Sequence, residues 1–214
     1  TTYERCSAEQ IKMFYVEDYN AKLVLDVGAH DGAEESRNWP IGPDEFDKMI
    51  EEKTFTNDAD KGEVKTLFRK MSTNQLGLIV RQSFRGMKPP SLEDARRLGG
   101  CLNLCVKLER LSLGKVGMTD EVLQAMASAL GRGALASCEK LLLDKNWIGD
   151  DGMRALAHAL SLRALSNCVN FNISENKIGD DGMRALADAL GRGALVTCEK
   201  LSLNENRIGD DGVR

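Results

Sequence analysis

The sequence predicts an α/β solenoid, in which short parallel strands alternate with helices and stack unit upon unit. Three observations predict it. Blocks of residues recur at an interval of 30 or twice that. Within each interval, apolar residues first alternate as on a strand. They then recur three and four residues apart, as on a helix. A fixed period of roughly 20 to 50 residues is the mark of units that bury their apolar faces against one another.

The recurrence is explicit. Ile148-Gly-Asp-Asp-Gly-Met-Arg-Ala-Leu-Ala157 returns unchanged at Ile178 to Ala187, and Ile208 to Val213 begins it again. Gly131 to Leu135 returns at Gly191 to Leu195, and Cys138 to Leu141 at Cys198 to Leu201. Cys138, Leu141, Leu143 and Asn146 share their spacing with Cys168, Phe171, Ile173, Asn176 and with Cys198, Leu201, Leu203, Asn206. An earlier copy reads Leu108, Leu111, Leu113, with Val116 in place of the asparagine. The alternating stretch predicts a strand. Met153, Leu156, Ala157 and Leu160 predict a following helix, with Asp150 expected to cap its N-terminus. The asparagines suit a buried amide that satisfies the backbone of a tight bend.

This L-x-x-L-x-L-x-x-N pattern resembles the leucine-rich repeat family, and within it the ribonuclease-inhibitor-like class, over about residues 105–214. The resemblance implies a horseshoe arc with parallel strands on the concave face and helices on the convex face. A degenerate first unit is expected over residues 76–104, with Leu78, Val80, Gln82 and Phe84 near a strand and Leu92, Ala95 and Leu98 on a helix. The solenoid so read covers residues 76–214, with period-30 repeats from 105. Its last helix has just begun at Arg214, so its end is expected to be covered by further residues or by a neighbouring subunit.

Residues 1–75 read as an N-terminal flanking or capping region, mainly helical. Amphipathic helices are predicted over residues 44–53 and 61–71. Phe46, Met49 and Ile50 share one side of the first, and Val64, Leu67, Phe68 and Met71 one side of the second. All four prolines lie before residue 91, so the two halves of the chain differ in pattern rather than in charge.

Composition narrows the function. The 214 residues carry a net charge of −4, which argues against nucleic acid as a partner. The longest apolar runs are far short of the roughly 20 residues that cross a membrane, so direct insertion is not expected. Leu23 to Gly32 resembles the first motif of class I methyltransferases, which would imply S-adenosylmethionine, but too little chain follows before the repeats to build that fold. Asn57 to Glu63 falls short of a calcium loop. Gly62 is one place early and Arg69 stands where a bidentate acid is required, so a solvated turn is expected. His30 and His158 do not pair with cysteines at zinc-ligand spacing, and His158 is expected on a helix surface. No catalytic, cofactor-binding or metal-binding residue is assigned. Of the six cysteines, Cys138, Cys168 and Cys198 occupy a core position of the repeat. Reduced thiols are expected, in an intracellular reducing compartment, cytoplasmic or an organelle matrix.

What remains is a surface for a protein partner. Strand residues pointing away from the core should line the concave face. Arg110, Lys115, Lys140 and Lys145 make it basic early, and Glu175 and Glu205 make it acidic later, with Asp144, Asn172 and Asn204 between them. Trp147 stands where the other copies have Gly117, Lys177 and Arg207, and Leu142 interrupts an otherwise polar column. An aromatic in an open position is an interface candidate. The expected function is a non-enzymatic interaction or scaffold module. The alternatives are a structural subunit of a larger assembly and, as enzymatic or regulatory readings, a methyltransferase or a GTPase activator, the last implied only by the resemblance.

Overall fold

The computed structural model describes residues 12–13, 25–26, 39–52, 58–130 and 133–213. A two-residue antiparallel bridge joins β1 (Lys12–Met13) to β2 (Leu25–Asp26). Two helices follow, α1 (Pro43–Glu51) and α2 (Asp58–Leu76). Strand and helix then alternate: β3 (Arg81–Ser83), α3 (Leu92–Leu102), β4 (Arg110–Ser112), α4 (Asp120–Ala129), β5 (Lys140–Leu142), α5 (Asp150–Ser161), β6 (Asn170–Asn172), α6 (Asp180–Gly191), β7 (Lys200–Ser202) and α7 (Asp210–Val213).

Strands β3 to β7 form one parallel sheet in chain order. Parallel neighbours need a crossover between them, and each helix supplies it. The register repeats the sequence period: Leu111 faces Leu141, Leu141 faces Phe171, and Phe171 faces Leu201. The sheet also corrects the degenerate first unit. Gln82 pairs with Leu111 and so takes a core position, while Ile79 and Phe84 are buried and Leu78 is exposed. The matching pattern is therefore Ile79-x-x-Gln82-x-Phe84.

The core runs continuously between sheet and helices. Leu108, Leu111, Leu113, Leu143, Cys168, Phe171 and Ile173 are all fully buried, with Met153, Leu156 and Leu160 covering them from α5. Each layer hides the one before it. Phe171, flanked on both sides, is 0% exposed, while Leu201 of the last described strand is 37% exposed.

The asparagines form a ladder at the turn edge of the sheet. Asn176 Oδ1 accepts from the Ile148 N–H at 3.1 Å. Its Nδ2 donates to the carbonyls of Leu143, Ile173 and Ser174 at 3.0–3.1 Å. Asn146 and Asn206 make equivalent bonds to their own neighbours. The same turn places Lys115, Lys145, Glu175 and Glu205 at φ 55–58°, a left-handed conformation that costs about 1–2 kcal/mol per side-chain-bearing residue. The ladder holds the chain there.

Asp150 does not cap its own helix. The N-cap of α5 is Gly149, and Asp150 is the first helical residue. Its Oδ1 accepts instead from the N–H groups of Gly179 and Gly182, at 2.7 and 2.9 Å, and so caps the helix of the next unit. Asp120 does the same for Gly149 and Asp180 for Gly209. Gly182 is required by this closeness, because a Cβ there would lie 2.7 Å from Asp150 Oδ1 and 3.2 Å from its Cα. Asp150→Ala should therefore lower stability by about 1–2 kcal/mol. Asp150→Asn, which keeps an acceptor, should cost less. Urea midpoints for the two variants check the order; equal midpoints would contradict the cap.

Helices α1 and α2 match the predicted amphipathic pair. Phe46 stacks on Phe68 with ring centroids 3.6 Å apart, and Ile41, Ile50, Met49 and Val64 pack around them. Leu67 and Met71 depart from the expectation, being 47% and 43% exposed. Asp58 to Glu63 lie within α2, so the expected solvated turn is helix. Trp39 joins the pair to the repeats, stacking 5.1 Å from Phe84 inside the main core. Arg97 of α3 adds an ion pair to Glu45 of α1 at 3.1 Å.

Candidate interaction surface

The outward side chains of β3 to β7 form columns across the sheet, because in-register strands bring equivalent residues side by side. The first column is Arg81, Arg110, Lys140, Asn170 and Lys200. The next is Ser83, Ser112, Leu142, Asn172 and Ser202. Leu142 is half-buried between Ser112 and Asn172, an apolar step in a polar row. Asn172 Oδ1 accepts from the Ser174 hydroxyl at 2.8 Å and from the Ser174 N–H at 3.0 Å, so this carbonyl is engaged within its own turn.

Trp147 lies at the turn edge and is 57% exposed. Its backbone N–H donates to Met118 O at 2.9 Å, so the main chain is held while the indole stays open. Lys177 Nζ sits 5.5 Å from the ring centroid, a cation over an aromatic face. The reading of an open aromatic thus matches its placement.

The acidic candidates behave differently. Asp144 is buried, and Arg85 Nη1 lies 2.9 and 3.0 Å from its two carboxylate oxygens. This ion pair spans two units and passes over Gly114, where a Cβ would collide with the guanidinium and approach Asp144 Oδ1 to 2.7 Å. Asp144 therefore belongs to a structural bridge and is withdrawn from the open surface. Glu175 is bonded to Lys145 at 3.1 Å, while Asn204 and Glu205 are exposed. Lys115 and Lys140 are exposed as well. Sequence reasoning missed Arg81 and Arg85, which the corrected first strand brings onto this face. The signal was the Ile79, Gln82, Phe84 spacing, masked by a polar residue at a core position.

Other chemistry is thin among the described residues. No cluster of three or more His, Cys, Asp or Glu is placed to hold a metal ion. No described helix is long and apolar enough to cross a membrane. Cys101, Cys105, Cys138, Cys168 and Cys198 are unpaired. Burial pushes the Cys101, Cys105 and Cys138 thiols up to about 12 and Cys168 to about 11, so they stay protonated at neutral pH. His158 is exposed on α5, as expected. The methyltransferase-like string lies outside the described residues except for Leu25–Asp26, the strand paired with Lys12–Met13.

The pattern of the family described as Leucine Rich repeat matches residues 139–157, 170–187 and 199–214. No curated protein sequence matches the chain. Among solved structures, actin-binding site 2 of leiomodin-1 is similar over 65% of this chain and 76% of that one, at 18% identity and a TM-score of 0.49. An internalin from Listeria monocytogenes is similar over 65% of this chain and 45% of its own, at 17% identity and a TM-score of 0.34. A second Listeria monocytogenes internalin, C2, covers 64% of this chain and 76% of its own, at 16% identity and a TM-score of 0.26. The three matched segments begin at β5, β6 and β7 and run into α5, α6 and α7, each laid in register on the last, and this part of the chain, residues 139–214, is built of leucine-rich repeats.

Proposed function

We propose that the chain is a non-enzymatic protein–protein interaction module whose sheet face receives a protein partner, with Trp147 as the anchor. The observation that carries this reading is an indole left 57% exposed at the turn edge of a hydrogen-bonded sheet, in the same repeat as the half-buried Leu142. A large amphipathic ring held at low entropy cost is the usual hot-spot chemistry. The ribonuclease-inhibitor-like class suits the full helices of α5 and α6, 12 residues each. Residues 1–75 act in this reading as the flank that covers the first unit, through Trp39 and Arg97–Glu45. A reducing compartment, cytoplasmic or an organelle matrix, suits the five unpaired described cysteines.

Trp147→Ala should weaken partner binding by about 2 kcal/mol, roughly thirtyfold in Kd, while the melting temperature stays nearly unchanged. The native chain and the variant are used side by side as affinity baits, and the recovered proteins are quantified. Equal recovery on both baits would sink the reading. So would a large fall in melting temperature, because the ring would then be core.

A further inference from the structure

We infer that the occupant of the sheet face is an extended, acidic polypeptide segment carrying one bulky apolar residue. The inference rests on the sheet face being the binding surface. Its observation is a charge asymmetry. The chain as a whole carries −4, yet the outward strand column reads Arg81, Arg110, Lys140, Asn170 and Lys200.

The carboxylates on this face are largely committed. Asp144 is neutralised by Arg85 and Glu175 by Lys145. Among the described residues, Arg110, Lys115, Lys140 and Lys200 form no ion pair with a carboxylate. Arg110, Lys140 and Lys200 thus present a line of cations without carboxylate partners, bordered by Glu109, Glu139 and Glu199 at the strand starts and by the exposed Glu205 at the turn edge. Such a local field selects the partner by sign, against the sign of the whole molecule.

The geometry sets the lane. Glu109, Glu139 and Glu199 are exposed and immediately precede β4, β5 and β7, so an acidic row borders the cations at the start of the strands. It would push an acidic ligand toward the opposite, turn edge, where Leu142 and Trp147 stand. Neighbouring strands lie about 4.8 Å apart, so Lys140 and Lys200 start about 10 Å apart along the stack. A segment extended as polyproline II rises about 3.1 Å per residue with three residues per turn, so carboxylates three residues apart share one side at about that interval. A phosphate backbone fits less well, since Trp147 is the sole exposed aromatic among the described residues and successive bases would find no stacking platform.

The test uses the full chain and four fluorescently labelled probes at low salt. They are a twelve-residue glutamate peptide with one central leucine, the same peptide with every Glu changed to Gln, the same with Lys, and a twelve-nucleotide oligothymidylate. The glutamate peptide should bind at least about tenfold tighter than the other three and lose most of its affinity at high salt. Arg110→Glu, Lys140→Glu and Lys200→Glu combined should abolish that preference. The single variants Lys140→Glu and Lys200→Glu, each expected to weaken binding severalfold, serve if the triple variant does not fold. Equal or tighter binding of the Lys or Gln peptide overturns the acidic assignment. If that binding is still lost in Trp147→Ala, the sheet face itself survives as the site. Tighter oligothymidylate binding, glutamate binding that the reversals leave unchanged, or no binding to any probe also overturns the inference. The bait comparison with Trp147→Ala decides the broader reading separately.

Discussion

Asn176→Ala should cost about 3 kcal/mol or more, a large effect for removing one amide from the edge of a sheet. The side chain serves four backbone groups: the Ile148 N–H and the carbonyls of Leu143, Ile173 and Ser174. Asn176 is buried, so water does not readily replace it. Each buried group left without a partner costs about 1–3 kcal/mol. The left-handed Glu175 would also lose the contact that holds its turn. For a domain of this size the melting temperature should fall by about 6–12 °C. Asn206 makes similar bonds but is only half-buried, so Asn206→Ala should cost distinctly less. Thermal and urea denaturation of the pair check both statements. A loss below about 1 kcal/mol at Asn176 would mean that water substitutes for the amide.

Phe171→Ala should destabilise by about 3–5 kcal/mol. The ring is fully buried and sits in register between Leu141 and Leu201. Phe171→Leu should cost only about 1–1.5 kcal/mol, because β4, β5 and β7 carry leucine at that place. The larger truncation should also have a direction. Stability in a repeat array comes mainly from contacts between neighbouring units. A cavity at Phe171 therefore weakens the joint to β7 and α7 on one side and to β5 on the other. Amide exchange in the Phe171→Ala protein should rise first in the outer unit, at Lys200 to Ser202, while β4 keeps its protection. A uniform rise across the sheet would contradict nearest-neighbour coupling.

The repeats were legible because burial in a stack is periodic. Leu143 and Ile173 alternate with outward residues, Met153 and Leu156 follow helical spacing, and both patterns match the observed core. Trp147 was legible for the opposite reason, as a bulky residue in a column otherwise small or charged. The first unit was harder. Gln82 and Phe84 take the core positions of their strand, but Gln82 is polar at a leucine position, and the apolar Leu78 drew attention from Ile79, which is the buried residue before the strand. Leu67 and Met71 misled in the same way, since an apolar residue on a predicted face is buried only if something packs against it.

By itself the sequence determined the period, the order of strand and helix, the inward residues and the buried asparagines. Those follow from how each side chain points relative to its own strand or helix axis. The tertiary structure alone decided where the short polar side chains end up. Asp150 reaches the helix of the next unit rather than its own, and Asp144 reaches Arg85 two units away rather than a ligand. Such partners depend on the few ångströms separating stacked units, a distance that exists only once the layers have closed.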